Sequence, residues 1–168
     1  MVLPEWIVGF TAWAESVVGT YGYLGIFLVS LIGNASIIFP IPAFALVFSA
    51  GAVLNPWLVG LAGGVGAALG ETSGYLLGRG GSEAIKKKYG KQLHKVRKWT
   101  LKRGIFPIIV LFAATPLPSD VIGIFSGLVK YDYKKFLLAT TIGKIFKYTL
   151  IALAGAYSFE AIKIYFGV

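Results

Sequence analysis

The sequence predicts an all-α integral membrane fold: an inverted repeat with two opposed re-entrant helical segments, about three full spans and interfacial amphipathic helices. Three observations predict it. Of the 168 residues, 57% are hydrophobic and only 14% charged, against roughly 45–50% and 25% in an ordinary soluble domain. The apolar residues come in long runs, as bilayer spans require. A Pro-x-Pro motif also occurs twice, each time followed by a glycine and then an apolar helix. Residues 1–168 are expected to form one membrane domain.

The elements follow in order. In residues 5–19, Trp6, Phe10, Trp13 and Val17 recur at helical spacing, with Glu5 and Glu15 elsewhere on the wheel. That pattern predicts a helix lying in the interface. It lacks the basic start of a signal peptide. Residues 21–39 are apolar with one amide, Asn34, and are expected to span the membrane. Residues 40–56 hold about 14 residues between prolines, too few to cross, and are read as re-entrant. Residues 57–79 form the second expected span. Gly66, Gly70, Gly74 and Gly78 are spaced by four there, giving one small face for helix packing.

Charge sets the topology. The chain is +9 overall, and nine Lys and Arg residues fall within 82–103. Ile85, Tyr89, Leu93, Val96 and Trp99 share a helical face there, so the segment reads as a basic amphipathic helix on the cytoplasmic surface. Nucleic acid is not the expected partner, since no groove-reading motif occurs. Residues 105–130 contain Pro107, Pro116 and Pro118 and end at Lys130, with Lys134 and Lys135 beyond. A crossing would put those lysines opposite the first basic cluster, so a second re-entrant segment is expected. Residues 134–157 form the third span, and 158–168 a short tail.

The two halves resemble each other. Pro40-Ile41-Pro42 matches Pro116-Leu117-Pro118 at an offset of 76, and Gly51 matches Gly127 at the same offset. With the first re-entrant segment entering from outside and the second from inside, the repeats are inverted. Broken helices in such repeats meet near the midplane and form a transport site.

Ionisable groups in membrane helices are costly and hence functional candidates. Glu71, Asp120, Lys144 and Lys147 qualify. Glu71 lies about 12 Å along a helix from Arg79, and Lys144 about 14 Å from Lys135, so their depths match. A Glu71–Lys144 pair is expected, with Lys147 one turn deeper on the same face. The pair is either a structural ion pair or part of a site where the lysines hold a lipid phosphate. In the second case Glu71 steadies them or exchanges a proton. Ser119 is expected to cap the second re-entrant helix, with Asp120 in its first turn. Arg79 reads as an interfacial anchor and His94 as a surface residue. The absence of cysteine and the single histidine argue against a metal site. No G-x-S-x-G, H-E-x-x-H or Walker loop occurs, so neither an enzyme nor a cofactor is expected.

The stretch Phe39 to Pro42 through Gly51, the block Gly70-Glu71-Thr72-Ser73-Gly74-Tyr75-Leu76-Leu77-Gly78-Arg79, and Thr115 to Asp120 through Gly127 resemble the DedA/VTT family of membrane proteins. The resemblance covers roughly residues 21–155. It implies two opposed re-entrant loops and movement of a polyprenyl-phosphate carrier or a phospholipid between leaflets, with proton coupling proposed for some members. It carries Glu71 and Arg79 over as site residues and Asp120 more weakly. Many members have an acid soon after the first Pro motif, where this chain has Ala43 and Phe44. Many also have arginines around the second motif, where it has Ala113 and Ser119. The expected function is therefore a lipid transporter or scramblase. The alternatives are an ion- or proton-coupled exporter of a small solute and a non-transporting assembly factor. Membrane lipid is the expected partner, and the glycine faces would also suit a homodimer.

Overall fold

Proline and glycine divide the apolar sequence into helices of unequal length. The computed structural model describes residues 16, 18–35, 43–81, 91, 94, 96, 100 and 104–166, with side chains as far as 158. Among the described residues seven helices are bounded: α1 Tyr23–Ala35, α2 Ala43–Val53, α3 Pro56–Gly70, α4 Thr72–Arg79, α5 Ile105–Ala114, α6 Ser119–Leu128 and α7 Tyr133–Phe166. No strand occurs among the described residues. Most of the interfacial helix expected at 5–19, Pro40 and Pro42, and nearly all of the basic segment 82–103 lie outside them. Val96, which is described, is buried in the core with Tyr75, Phe112 and Phe136.

In the run from Tyr21 to Phe39, Tyr23–Ala35 is helical and residues 36–39 lie outside the described ones. One boundary differs from expectation. The expected tail after Tyr157 instead continues α7, which runs for 34 residues. Residues 158–166 contain no proline or glycine, so nothing in that stretch stops the helix. Within α7, Tyr133–Ser158 is long and apolar enough to cross a membrane. Leu138, Ile142, Phe146 and Leu150 lie exposed along one of its faces.

Both long helical runs begin on a side-chain cap. Asn55 Oδ1 accepts from the Trp57 and Leu58 amides, at 3.0 and 3.4 Å, with Pro56 in the first turn, where its missing N–H costs nothing. Asp132 Oδ1 accepts from the Lys135 amide at 2.9 Å and starts α7 in the same way. α3 and α4 are nearly continuous. Glu71 is both the end of one and the start of the other, so together they reach roughly 36 Å.

Glycine determines how the helices pack. Gly60, Gly63 and Gly64 on α3 face Thr149, Tyr148 and Ile145 on α7, so these two helices run antiparallel. α1 runs alongside α3 in the same direction, with Gly66 against Phe27 and Gly70 against Leu31. α5 runs alongside α7 likewise, with Gly143 against Val110 and Ala114. The expected single face of Gly66, Gly70, Gly74 and Gly78 therefore divides. The first two meet α1, while Gly78 meets α6 beyond the break at Glu71.

The repeat is visible in these contacts. Gly127 on α6 lies against the Tyr75 carbonyl of α4, and Gly51 on α2 lies against the Ala152 carbonyl of α7. Gly78 on α4 meets the Ile124 carbonyl, and Gly155 on α7 meets the Phe48 carbonyl. Each short helix α2 or α6 thus seats on the long helix of the other half. Two antiparallel helices exchanged in this way are related by an approximate two-fold axis perpendicular to their length.

A Cβ at Gly78 would strike backbone that cannot swing aside, whereas one at Gly74 would sit at an ordinary 3.8 Å from the Asp120 carbonyl. Gly78→Ala is therefore expected to destabilise the protein by about 1–3 kcal/mol, while Gly74→Ala is tolerated. Thermal unfolding of both variants in detergent checks the contrast.

Candidate functional site

The site is built where α1 ends, α2 and α6 begin, and the α3–α4 break faces α7. Lys144 on α7 is its centre and is only 1% exposed. Its ammonium lies 2.7 Å from Glu71 Oε2. It donates to Asn34 Oδ1 at 2.8 Å and to Ser119 Oγ at 3.0 Å. An ammonium has three donors, and here each finds an acceptor on a different element. The pairing expected from matched depths is present, with two partners in addition.

The partners are themselves held. Ser119 Oγ donates to Glu71 Oε2 at 3.1 Å. Asn34 Nδ2 donates to the Ser30 carbonyl at 2.9 Å and to the Tyr148 hydroxyl at 2.8 Å. Tyr148 is fully buried, and its ring packs against Phe44 with centroids 5.6 Å apart. Glu71 Oε1 has no hydrogen-bond partner among the described residues and lies against Gly123.

Lys147 has different surroundings. Its ammonium donates to the Thr115 carbonyl at the end of α5, 3.1 Å away, where unpaired carbonyls favour a cation. It lies 5.4 Å from the centroid of the Phe44 ring. Among the described residues no carboxylate forms a salt bridge with it. It opens onto a cavity of about 360 Å³. From the first half, Asn34, Ala43 and Phe44 line that cavity. From the second, Pro116, Pro118, Ser119, Asp120 and Ile151 line it. Asp120 is partly buried in the first turn of α6, within electrostatic reach of both lysines.

Of the residues expected at the site, Glu71, Asp120, Lys144, Lys147, Ser119, Pro116 and Pro118 converge. Arg79 does not. It is exposed at the far end of α4, donating to the Tyr75 hydroxyl at 3.0 Å. Two turns of helix hold it away from Glu71. Ser119 does not cap α6 either: it is the first helical residue, and its hydroxyl is taken by Lys144 and Glu71. Gly51 and Gly127 serve packing, not the cavity. Sequence reasoning missed Tyr148 and Phe44, and gave Asn34 only a helix-to-helix hydrogen bond. The repeat held the signal for Tyr148, since Glu71 maps onto it by the same step that carries Asn55 to Asp132.

A family model for the VTT domain matches residues 41–157. The chain is also 33% identical over 141 residues to an uncharacterized membrane protein, YbfM, of Bacillus subtilis (strain 168), covering 77% of this chain and 85% of that one. No solved structure matches.

Removing one member of a buried ion pair leaves the other charge uncompensated, at a cost of about 3–5 kcal/mol. Lys144→Gln should lose about that much. Glu71→Gln combined with Lys144→Gln should lose less than the two single variants added together. A double-mutant cycle by denaturation in detergent measures the coupling, expected to be at least about 1 kcal/mol.

Proposed function

The chain belongs to the VTT-domain (DedA) family of membrane proteins, and we propose that it moves phospholipid between leaflets through the cavity at Lys147. In this reading α3–α4 and α7 are the two full spans. α1 with α2, and α5 with α6, are helical hairpins too short to cross a core of about 30 Å. Because α1 follows α3, α5 follows α7, and those long helices are antiparallel, the hairpins enter from opposite sides, and the end of α1 and the start of α2 face the start of α6 across the cavity. On this reading the first apolar run is half of a hairpin, which makes two spans where the sequence alone suggests three. The basic segment 82–103, Lys130, Lys134 and Lys135 all fall on one side, the cytoplasmic one by the positive-inside rule.

The observation that carries the proposal is the pair of charges left over at the cavity. Glu71 and Lys144 compensate each other out of contact with solvent. Lys147 and Asp120 remain, one cation and one anion, both partly buried and both lining the space where the hairpins meet. A charge kept at such depth without a salt-bridge partner calls for a ligand to complete it. A phospholipid places its phosphate at Lys147 and any headgroup amine at Asp120. A polyprenyl phosphate, with more negative charge and no cation, fits this balance less well. A proton-coupled solute exporter is the second reading, and the Asp120 carboxylate on the cavity wall favours it.

The test is leaflet exchange of a fluorescent phospholipid in proteoliposomes, with and without an imposed pH gradient. Lys147→Gln is expected to slow exchange by roughly tenfold or more, because a desolvated charge–phosphate contact is lost, and to leave the melting temperature nearly unchanged. No exchange by the unaltered protein in either condition overturns the lipid reading. Exchange only under the gradient moves the weight to proton coupling.

A further inference from the structure

Phe44 stands where the repeat would place an acid. Pro40-Ile41-Pro42-Ala43-Phe44 aligns with Pro116-Leu117-Pro118-Ser119-Asp120. Phe44 and Asp120 accordingly sit in the first turns of α2 and α6, and both line the cavity. One half therefore offers Lys147 a carboxylate in the vicinity, and the other offers an aromatic face. We propose that Phe44 sets the charge class of the headgroup: its ring positions the Lys147 ammonium without neutralising it, so that a lipid phosphate supplies the missing counter-charge. This rests on the lipid reading above.

The geometry supports each step. The ammonium lies within the roughly 6 Å at which a ring face attracts a cation, at 5.4 Å. Such a contact steadies the cation while leaving its full charge available, and the Thr115 carbonyl, at 3.1 Å, does the same. A carboxylate at this position would instead form an ion pair and close the site to a second anion. The ring, half exposed, is supported from one side. It packs on Tyr148, whose hydroxyl is held by Asn34, which also accepts from Lys144. The buried network thus extends by way of Tyr148 and Phe44 to Lys147, which it does not itself neutralise. Phe44 is a positioning and specificity-determining residue in this arrangement.

The test compares the exchange of two fluorescent lipids in proteoliposomes: a phospholipid and glucosylceramide, which has no phosphate. The unaltered protein is expected to prefer the phospholipid. Phe44→Asp should lower phospholipid exchange by roughly tenfold or more, since it sets a negative charge against the incoming phosphate, and with it the ratio of phospholipid to glucosylceramide exchange. Phe44→Leu, which keeps an apolar side chain, should stay within about threefold of the unaltered protein, a loss in the range of a single cation–ring contact. Phospholipid exchange by Phe44→Asp at the original rate overturns the inference and leaves lipid transport standing. So does an equal loss in Phe44→Leu, which would mark the ring as packing alone, or equal movement of both lipids by the unaltered protein. If neither lipid moves, the transport reading fails. Binding of a short-chain phosphatidic acid, followed by thermal shift, then decides the inference by itself: binding by the unaltered protein and its loss in Phe44→Asp uphold it, and any other pattern overturns it.

Discussion

The arrangement of the whole molecule turns on satisfying one ammonium group where water does not reach. An isolated buried charge costs several kcal/mol after relaxation, and the cost falls only when every donor finds an acceptor at close range. Lys144 meets that demand with Glu71, Asn34 and Ser119, which come from the α3–α4 break, the end of α1 and the start of α6. Three separate elements must therefore approach one nitrogen to about 3 Å. Helices with ordinary side chains between them pack at 8–10 Å, leaving little room for so many to converge. The glycines of α3, α4 and α7 bring backbone onto backbone and make that convergence possible.

The scaffold is repeated, but its chemistry is not. Gly51 and Gly127, Gly78 and Gly155, and Asn55 and Asp132 do matching jobs in the two halves. At the site the equivalences break down: Ala67 corresponds to Lys144, Gly70 to Lys147, Glu71 to Tyr148 and Phe44 to Asp120. Had both halves carried both lysines, four cations would share one apolar interior, and their repulsion would exceed what nearby acceptors could offset. Placing both cations on α7 and the buried acid at the α3–α4 break makes the central pair complementary and leaves the cavity with an aromatic side and an acidic side.

Composition, long apolar runs and the doubled Pro-x-Pro motif made the helical membrane class legible. The Glu71–Lys144 pair was legible because depth along a helix can be counted from flanking charges. Helix ends were harder to read. Apolar residues from Tyr21 to Phe39 look alike whether they form one span or the first arm of a hairpin, since hydrophobicity reports burial in lipid and not where the chain turns. Ser119 misled for a related reason. A serine after a proline is a good cap in isolation, but a buried ammonium nearby is a stronger claim on its hydroxyl than a backbone amide. Tyr148 and Phe44 were hidden because aromatic residues in an apolar run carry no mark of what they touch across the fold.

Lys144 and Lys147 sit one turn apart on the same helix, yet the fold treats them oppositely. The first is sealed and fully neutralised, so any ligand that took it would have to break three contacts and leave Glu71 unpaired. The second is held by a carbonyl and a ring, two groups that orient a cation without cancelling it. A transport site needs a charge that can be completed by its cargo and then released, which means binding strong enough to select and weak enough to reverse. On the proposed lipid reading, the buried pair holds α1, α6 and the α3–α4 break together while the open lysine exchanges its cargo. On this division of labour, structural and working charge can coexist within a single turn because their immediate neighbours, and not their depth, determine how much of each charge is left over.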